Sequence, residues 1–411
     1  MNMWRLFKTT LLTCCLFVST QIQAQGTVDP KFYFGGIVEL TTAFSDQGAP
    51  LVNQYRRNDS AFDNMRATLF ADVVLAPRLT LFNQTLLAPT SRANIHSYWR
   101  PILQFDAIQN ETFELLLEAG KLSTTFGSYG PRAYSNRTTL ITPPLMHHYF
   151  TSLRSNQLPA DNDDLLKSRG QGHSSIFTGY NGGGSSALFY GLPIIYDVCW
   201  DTGIRAFGSF WRFEYSLGLT HGSLSNPANT GTDNNDGKQI ISRLSLIPAT
   251  GLIIGSSYAR GAYLDNAIAS ALPVGQTPED FMQKALGFDF HFEIRHLKLI
   301  GEAVFNTWEI PNIVDAQNNR QDLTVLGWYI EGQYAFLPGL YAAIRFDQLT
   351  FGKIPNSTDQ TLSWDDDIWR LEGGIGYQFW EGVLGKLIIQ DIHKQRTPRT
   401  TFGAAQLSLS F

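Results

Sequence analysis

Alternation with a period of two residues runs along most of this chain, and it constrains the fold more than any other feature. In GAAQLSLSF, residues 403–411, the apolar Ala405, Leu407, Leu409 and Phe411 interleave with the polar Gln406, Ser408 and Ser410. Successive side chains of a strand point to opposite faces, so this is a strand with one apolar face and one wet face. The pattern recurs in DDIWRLEGGIGYQFW, where Trp369, Leu371, Ile375, Tyr377 and Phe379 oppose Arg370, Glu372 and Gln378. It returns in WRFEYSLGLTH, NMRATLFADVVL and LGFDFHFEI, and across 32–40, 99–107, 113–121, 297–307 and 326–336. A helical period would spread these charges round the element; here they keep to one face.

The connectors between strands differ in length. Short ones contain Pro77, Gln109 with Asn110, Pro248 with Gly251, Arg295 with His296, Pro338 with Gly339, and Glu381 with Gly382. Long ones, rich in Asn, Asp, Gly, Pro and Ser, fill 44–63, 122–172, 222–237, 264–281, 309–321 and 353–365. Tight turns at one end and long loops at the other describe an all-β, antiparallel, up-and-down transmembrane barrel, with the short turns periplasmic and the long loops extracellular. The expected count is about 18 strands, with about 16 as the alternative, inside the range such barrels occupy. The difference lies in residues 173–198, where Gly182–Gly184 is either a turn between two short strands or a loop tip.

Charge placement separates this barrel from a soluble one. The polar faces carry Arg, Glu, Asp and Lys in most strands, too many ions for a dry core, so they must line water. Charged residues make up only 16% of the chain, against roughly 25% in soluble proteins. No apolar run after residue 24 is long enough for a spanning helix. Residues 1–24 have the layout of a cleaved secretory signal: Arg5 and Lys8, the apolar LLTCCLFVST, and the small Ala24. A rival reading acylates Cys14, but Thr13 is a poor residue before such a cysteine. Losing the leader takes the 31 basic residues to 29 against 36 acidic ones, so the net charge moves from −5 to −7, which argues against nucleic acid. Cys199 is then the single remaining cysteine, and no internal disulfide forms. The rest, 25–411, is read as one domain.

In layout the chain resembles the bacterial outer-membrane porins, of the general or substrate-selective kind. The resemblance rests on the alternating strands, the final strand ending in Phe411, and ETFELLLEAGKLSTTFGSYGPRAYSNRTT. There Gly120, Lys121, Phe126 and Gly127 match the strand that precedes a long, inward-folding third loop. The resemblance implies a water-filled channel for passive diffusion of small hydrophilic solutes or ions across a Gram-negative outer membrane, with no cofactor and no enzymatic step. It also implies contact with membrane lipid and lipopolysaccharide, Phe411 as the address read by the barrel-assembly machinery, and a homotrimer. An anion- or phosphate-selective porin and a closed structural or adhesive barrel remain alternatives. An outer-membrane phospholipase, suggested by His221 and Ser223, lacks the rest of a catalytic set, and His147 with His148 has no ligand partner at metal spacing.

Inward-facing candidates on the wall are Arg66, Arg100, Arg205, Arg212, Arg243, Lys298, Arg345 and Arg370, with Glu39, Asp72, Asp106, Glu114, Glu118, Glu214, Asp289, Glu302, Glu331, Asp347 and Glu372. Most are expected to be solvated wall charges, with Lys121 and Glu118 beside the constriction. On the long loop stand Arg132, Arg137, Arg154 and the acids Asp161, Asp163 and Asp164. One expectation sets these acids against a ladder of wall arginines to make a transverse field. The other leaves the loop outside, packed by Tyr134, Tyr149 and Phe150.

Overall fold

The computed structural model describes residues 31–45, 65–91, 94–172, 179–180, 190–229 and 233–411. The expected signal segment, the connector beyond residue 45 and the glycine turn at 182–184 lie outside the described residues. Sixteen strands close into one antiparallel barrel in which neighbours in sequence are neighbours in space. The first five are β1 (Lys31–Ser45), β2 (Arg66–Ala76), β3 (Leu79–Ser91), β4 (Asn94–Gln109) and β5 (Glu114–Leu122). After a long excursion come β6 (Asp201–Phe210), β7 (Phe213–Thr220), β8 (Gln239–Ala249), β9 (Leu252–Ala262) and β10 (Met282–Ile294). Then follow β11 (Leu297–Trp308), β12 (Leu323–Leu337), β13 (Leu340–Phe351), β16 (Ile368–Trp380), β17 (Val383–Lys394) and β18 (Thr397–Ser410). Two three-residue strands, β14 (Lys353–Pro355) and β15 (Thr361–Ser363), make a hairpin outside the wall.

The count is the lower of the two expected. β5 pairs directly with β6, Glu118 opposite Arg205, so the described residues between Ser123 and Trp200 add no strand to the barrel wall. The excursion is therefore longer than the loop 122–172 read from the sequence. Arg212 is also corrected. It belongs to the tight Trp211–Arg212 turn rather than to the lumen face of β7, and its guanidinium donates to the Pro248 carbonyl at 2.7 Å.

Closure occurs where the opening stretch pointed. β1 pairs with β18 in the register Val38 to Leu409 and Leu40 to Leu407. Phe411 extends the ladder by one residue: its N–H donates to the Gly36 carbonyl and its carbonyl accepts from the Gly36 N–H, both at 3.0 Å. The Phe411 ring packs over Gly36, where a Cβ would stand 2.6 Å from it and push the ring aside.

The two faces sort as the alternation requires. Ile389 is 66% exposed and Ile344 55%, although both are apolar mid-strand residues, whereas their neighbours Gln390 and Arg345 are buried inside. Exposed aromatics gather near the short turns: Tyr334 with Phe336, Tyr377 with Phe379 and Trp380, Trp211, and Phe34 against Phe411. That is the arrangement of an interfacial girdle below an apolar band. Outward ion pairs, Asp391 with Arg399 and Lys284 with Glu309, sit toward the long-loop rim.

The apolar core lies at the long-loop end and not between sheets. Leu140, Met146, Leu153, Leu158 and Leu165 of the excursion pack with Tyr263, Phe281, Ile310, Ile354 and the crossed pair Trp308 and Trp364. We expect Ile389→Arg to destabilise the bilayer-inserted barrel by about 2 to 4 kcal/mol, and Ile389→Val to change it little. Urea unfolding of protein refolded into lipid vesicles measures both, and equal stability of the two variants would refute the outward assignment.

Candidate functional site

The excursion turns into the barrel at Gly127. Its N–H donates to Ser257 Oγ at 3.0 Å, and its φ of +69° lies in the left-handed region that glycine adopts without strain. A Cβ at this position would fall 1.8 Å from Glu302 Oε1, so close passage past the wall needs glycine. Arg132 then donates to the Tyr329 hydroxyl at 3.0 Å, and Tyr134 donates to Gln84 Oε1 at 2.7 Å on the far side of the lumen. Ser135 meets Ser408 at 2.8 Å, Lys386 donates to Thr138 Oγ1 at 2.8 Å, and Gln390 donates to Thr142 Oγ1 at 2.7 Å. These contacts reach β3, β9, β12, β17 and β18, so the segment lies inside the ring. The outside placement of Tyr134 and its neighbours does not occur.

Beneath residues 142–143 lies a buried ion network. Arg345 on β13 bridges Glu331 at 3.3 Å, Asp347 at 3.1 Å and Glu372, while Arg370 on β16 binds Asp347 at 2.5 Å. The register builds it, since Arg345 stands opposite both Glu331 and Glu372, and Asp347 opposite Arg370. The two guanidiniums then donate to the Thr142 and Pro143 carbonyls at 2.8 and 2.7 Å. Arg345, Arg370, Asp347 and Glu372 are at most 2% exposed, so they are not the solvated wall charges the alternation suggested. Three carboxylates around one guanidinium offset the desolvation that a lone buried charge would suffer.

The three loop acids expected to face the wall arginines are bonded elsewhere, for a local reason. Asp161 caps the helix Asn162–Lys167 by accepting from the Asp164 N–H at 2.8 Å. Asp163 accepts from the Ser357 N–H at 3.1 Å, and Asp164 accepts from the Ala160 N–H at 2.9 Å. All three acids thus serve the helix end and the neighbouring outer loop. The inward charge that the segment supplies is a base, Arg132, set toward the wall acid Glu302 through Tyr329.

The other candidates divide by position. Arg66 pairs with Glu39 at 3.3 Å, and Arg100 lies 4.3 Å over the Trp200 ring; both border a cavity of about 60 Å³ with Asp197. Lys121 is buried and donates to the Ala228 carbonyl, which makes it an anchor for an outer loop. Arg137 is exposed, 5.8 Å from the Tyr134 ring, and borders a 350 Å³ cavity with Lys298 and Gln333. Glu118 holds Arg205, and Arg243 holds Asp289 at 2.5 Å. Asp289 and Arg205 line the largest of these cavities, about 610 Å³, together with Arg132.

Sequence reasoning passed over Lys386 and Tyr329, which sit at lumen-facing positions of their strands and were open to the same alternation argument. It also left His147 without a role. That ring is buried, with Nδ1 2.8 Å from the Asp197 carbonyl and its centroid 4.5 Å from that of the Tyr129 ring. Burial pushes its pKa down to about 4, and the Asp197 contact opposes the shift only in part. Among the described residues, no group of three or more His, Cys, Asp or Glu is placed to hold a metal ion.

No family model matches the chain, and no curated protein matches it in sequence. Solved structures do match in shape. Salmonella typhi OmpF, solved in complex with daunomycin, gives a TM-score of 0.56 at 10% identity over 93% of this chain and 98% of that one. The fold is that of the bacterial outer-membrane porins. The outer-membrane channel DcaP of Acinetobacter baumannii gives 0.55 at 8% identity over 94% and 99%. The anion-selective porin of Comamonas acidovorans gives 0.54 at 10% identity over 93% and 100%. Likeness at this identity extends to the porin fold and leaves the subfamily open.

Two outcomes are expected of this porin fold. Arg345→Met leaves Glu331, Asp347 and Glu372 buried without their shared cation, and should cost about 3 to 5 kcal/mol in urea unfolding. For His147, the unfolded imidazole takes its proton below about pH 6.5, while the folded ring stays neutral until about 4. The unfolded state therefore binds more protons in that window, and stability falls as pH drops through it. The urea midpoint measured from pH 7 to 4 should fall less steeply in His147→Leu, and an unchanged slope would contradict the assigned environment.

Proposed function

We propose that this protein is an outer-membrane channel for passive diffusion of small hydrophilic solutes or ions. The observation that carries the reading is a closed ring with an apolar band outside, hydrogen-bonded charges inside, and a constricting segment that leaves a 610 Å³ aqueous chamber against one wall. Selectivity in such a channel comes from the width and the lining charge at the constriction. Arg132 on the segment, with Glu302 and Asp289 on the wall, are the charges at that point. Residues 1–24 are assigned as the cleaved secretory signal, and the Gram-negative outer membrane, with its lipid and lipopolysaccharide, as the destination. Phe411 is assigned as the assembly signal, and a homotrimer as the assembled form. We assign no catalytic step.

One observation favours a second reading, a closed structural barrel: the apolar cluster of Met146, Leu153, Leu165, Trp308 and Trp364 caps the long-loop end. Purified protein in planar bilayers separates the two. A channel gives discrete conductance steps, and deletion of residues 134–142 should enlarge them, since that stretch crosses the lumen. Absence of steps in both forms would select the closed barrel.

A further inference from the structure

Two bases stand side by side on the outer wall. Arg260 on β9 is the cross-strand partner of Lys284 on β10. Both project outward: Ala259 and Ala285, next to them in sequence, are buried, while Tyr258 and Leu286 on their own face are exposed. Lys284 is held by Glu309 at 2.5 Å, and the second oxygen of Glu309 accepts from the Met282 N–H at 3.0 Å, so that carboxylate is fully engaged. Arg260 is exposed and has no hydrogen bond or ion pair among the described residues. Its other cross-strand neighbour is Ile240, which supplies no charge. Like charges directly opposite each other destabilise a sheet, so an outward Arg beside a Lys invites an anion from outside the chain. Arg399, the outward base on β18, has no such need, because Asp391 binds it through two hydrogen bonds.

The height of the pair narrows what that anion is. Arg260 lies nine residues up β9 from the Gly251 turn, which at about 3.4 Å per residue and a tilt of about 40° is about 23 Å, the top of an apolar band about 25 Å tall. Directly below the bases, Leu286 pairs with Tyr258 on one side and Phe305 on the other, and Ile254 and Phe288 continue the exposed apolar strip. Thr307, opposite Lys284, adds a hydroxyl at the level of the bases. Cations at the boundary above an apolar strip complement a lipid whose phosphate lies at the boundary and whose acyl chains run down the wall. A guanidinium fork matches two phosphate oxygens at once. We propose that the β9–β10 seam of the outer wall seats one phosphorylated lipid of the outer leaflet, with its phosphate on Arg260 and Lys284 and its chains on Tyr258, Leu286 and Phe305. The inference rests on the outer-membrane placement in the channel reading, and it names a defined seat where that reading has only general lipid contact.

The test is native mass spectrometry of the purified full chain in detergent, with bisphosphorylated lipid A as probe and its dephosphorylated form as control. One lipid A per chain should stay bound, and the dephosphorylated form should be lost. Arg260→Gln should raise the half-saturating concentration about tenfold. Arg260→Lys should recover part of that loss, and Arg399→Gln should bind like the parent. Equal retention of the two lipid forms, or Arg260→Gln binding like the parent, would overturn the proposal. Equal weakening by Arg260→Gln and Arg399→Gln would also overturn it, because it would mark unspecific attraction between charges. Inorganic phosphate should not displace the lipid; full displacement would assign the bases to free phosphate and overturn the lipid seat. A protein that binds lipid A but conducts nothing refutes the channel reading alone, and one that conducts but ignores lipid A refutes the seat alone.

Discussion

Everything in this structure depends on a ladder of backbone hydrogen bonds that has no end. In hydrocarbon an unpaired N–H or C=O has no water to turn to, so a sheet can span a membrane only if its first and last strands meet. Here they meet between β1 and β18, and the final two bonds are those Phe411 exchanges with Gly36. Closure at this circumference leaves a lumen too wide for wall side chains to fill. A wide lumen in turn leaves room for a long chain segment to enter, and the residues from Ser123 inward occupy it.

The entering segment changes what the wall charges are for. Alternation sends Arg345, Arg370, Asp347 and Glu372 inward, where water would ordinarily solvate them. Once the Thr142 and Pro143 carbonyls lie on top of them, water is excluded and the charges have to satisfy each other. The cross-strand register makes that possible. The result is an asymmetric lumen, sealed by a buried ion network against β12, β13 and β16 and open as a chamber against β5 to β10. On the open side Arg132 stands near the wall acids Glu302 and Asp289.

Much of this was legible in the order of residues, and the reason is that its signals are local. Inside and outside faces need only the identity of residues two apart, so Leu407 and Leu409 could be set against Gln406 and Ser408 without knowing any partner strand. Turn positions such as Pro338–Gly339 and Glu381–Gly382 were readable for the same reason. Strand number was harder, because the stretch around Gly182 has the composition of a hairpin, and only the direct pairing of β5 with β6 gives the barrel sixteen strands. The acids of the long loop misled in a similar way. Asp161, Asp163 and Asp164 are a charge cluster in sequence, yet their oxygens are committed to a helix end and to Ser357, a residue far along the chain.

The sequence by itself thus determined that this chain forms a barrel, which side chains face lipid, and where the ring closes, since a period of two and a run of turns are properties of neighbouring residues. Only the tertiary structure decided which inward charges stay in water and which are sealed, because that depends on contacts between residues such as Thr142 and Glu372, 230 positions apart. It also decided the sign of the charge that the entering segment brings to the wall through Arg132. That sign follows from where Gly127 lets the chain enter and which side chain next meets the wall, and no local pattern encodes it.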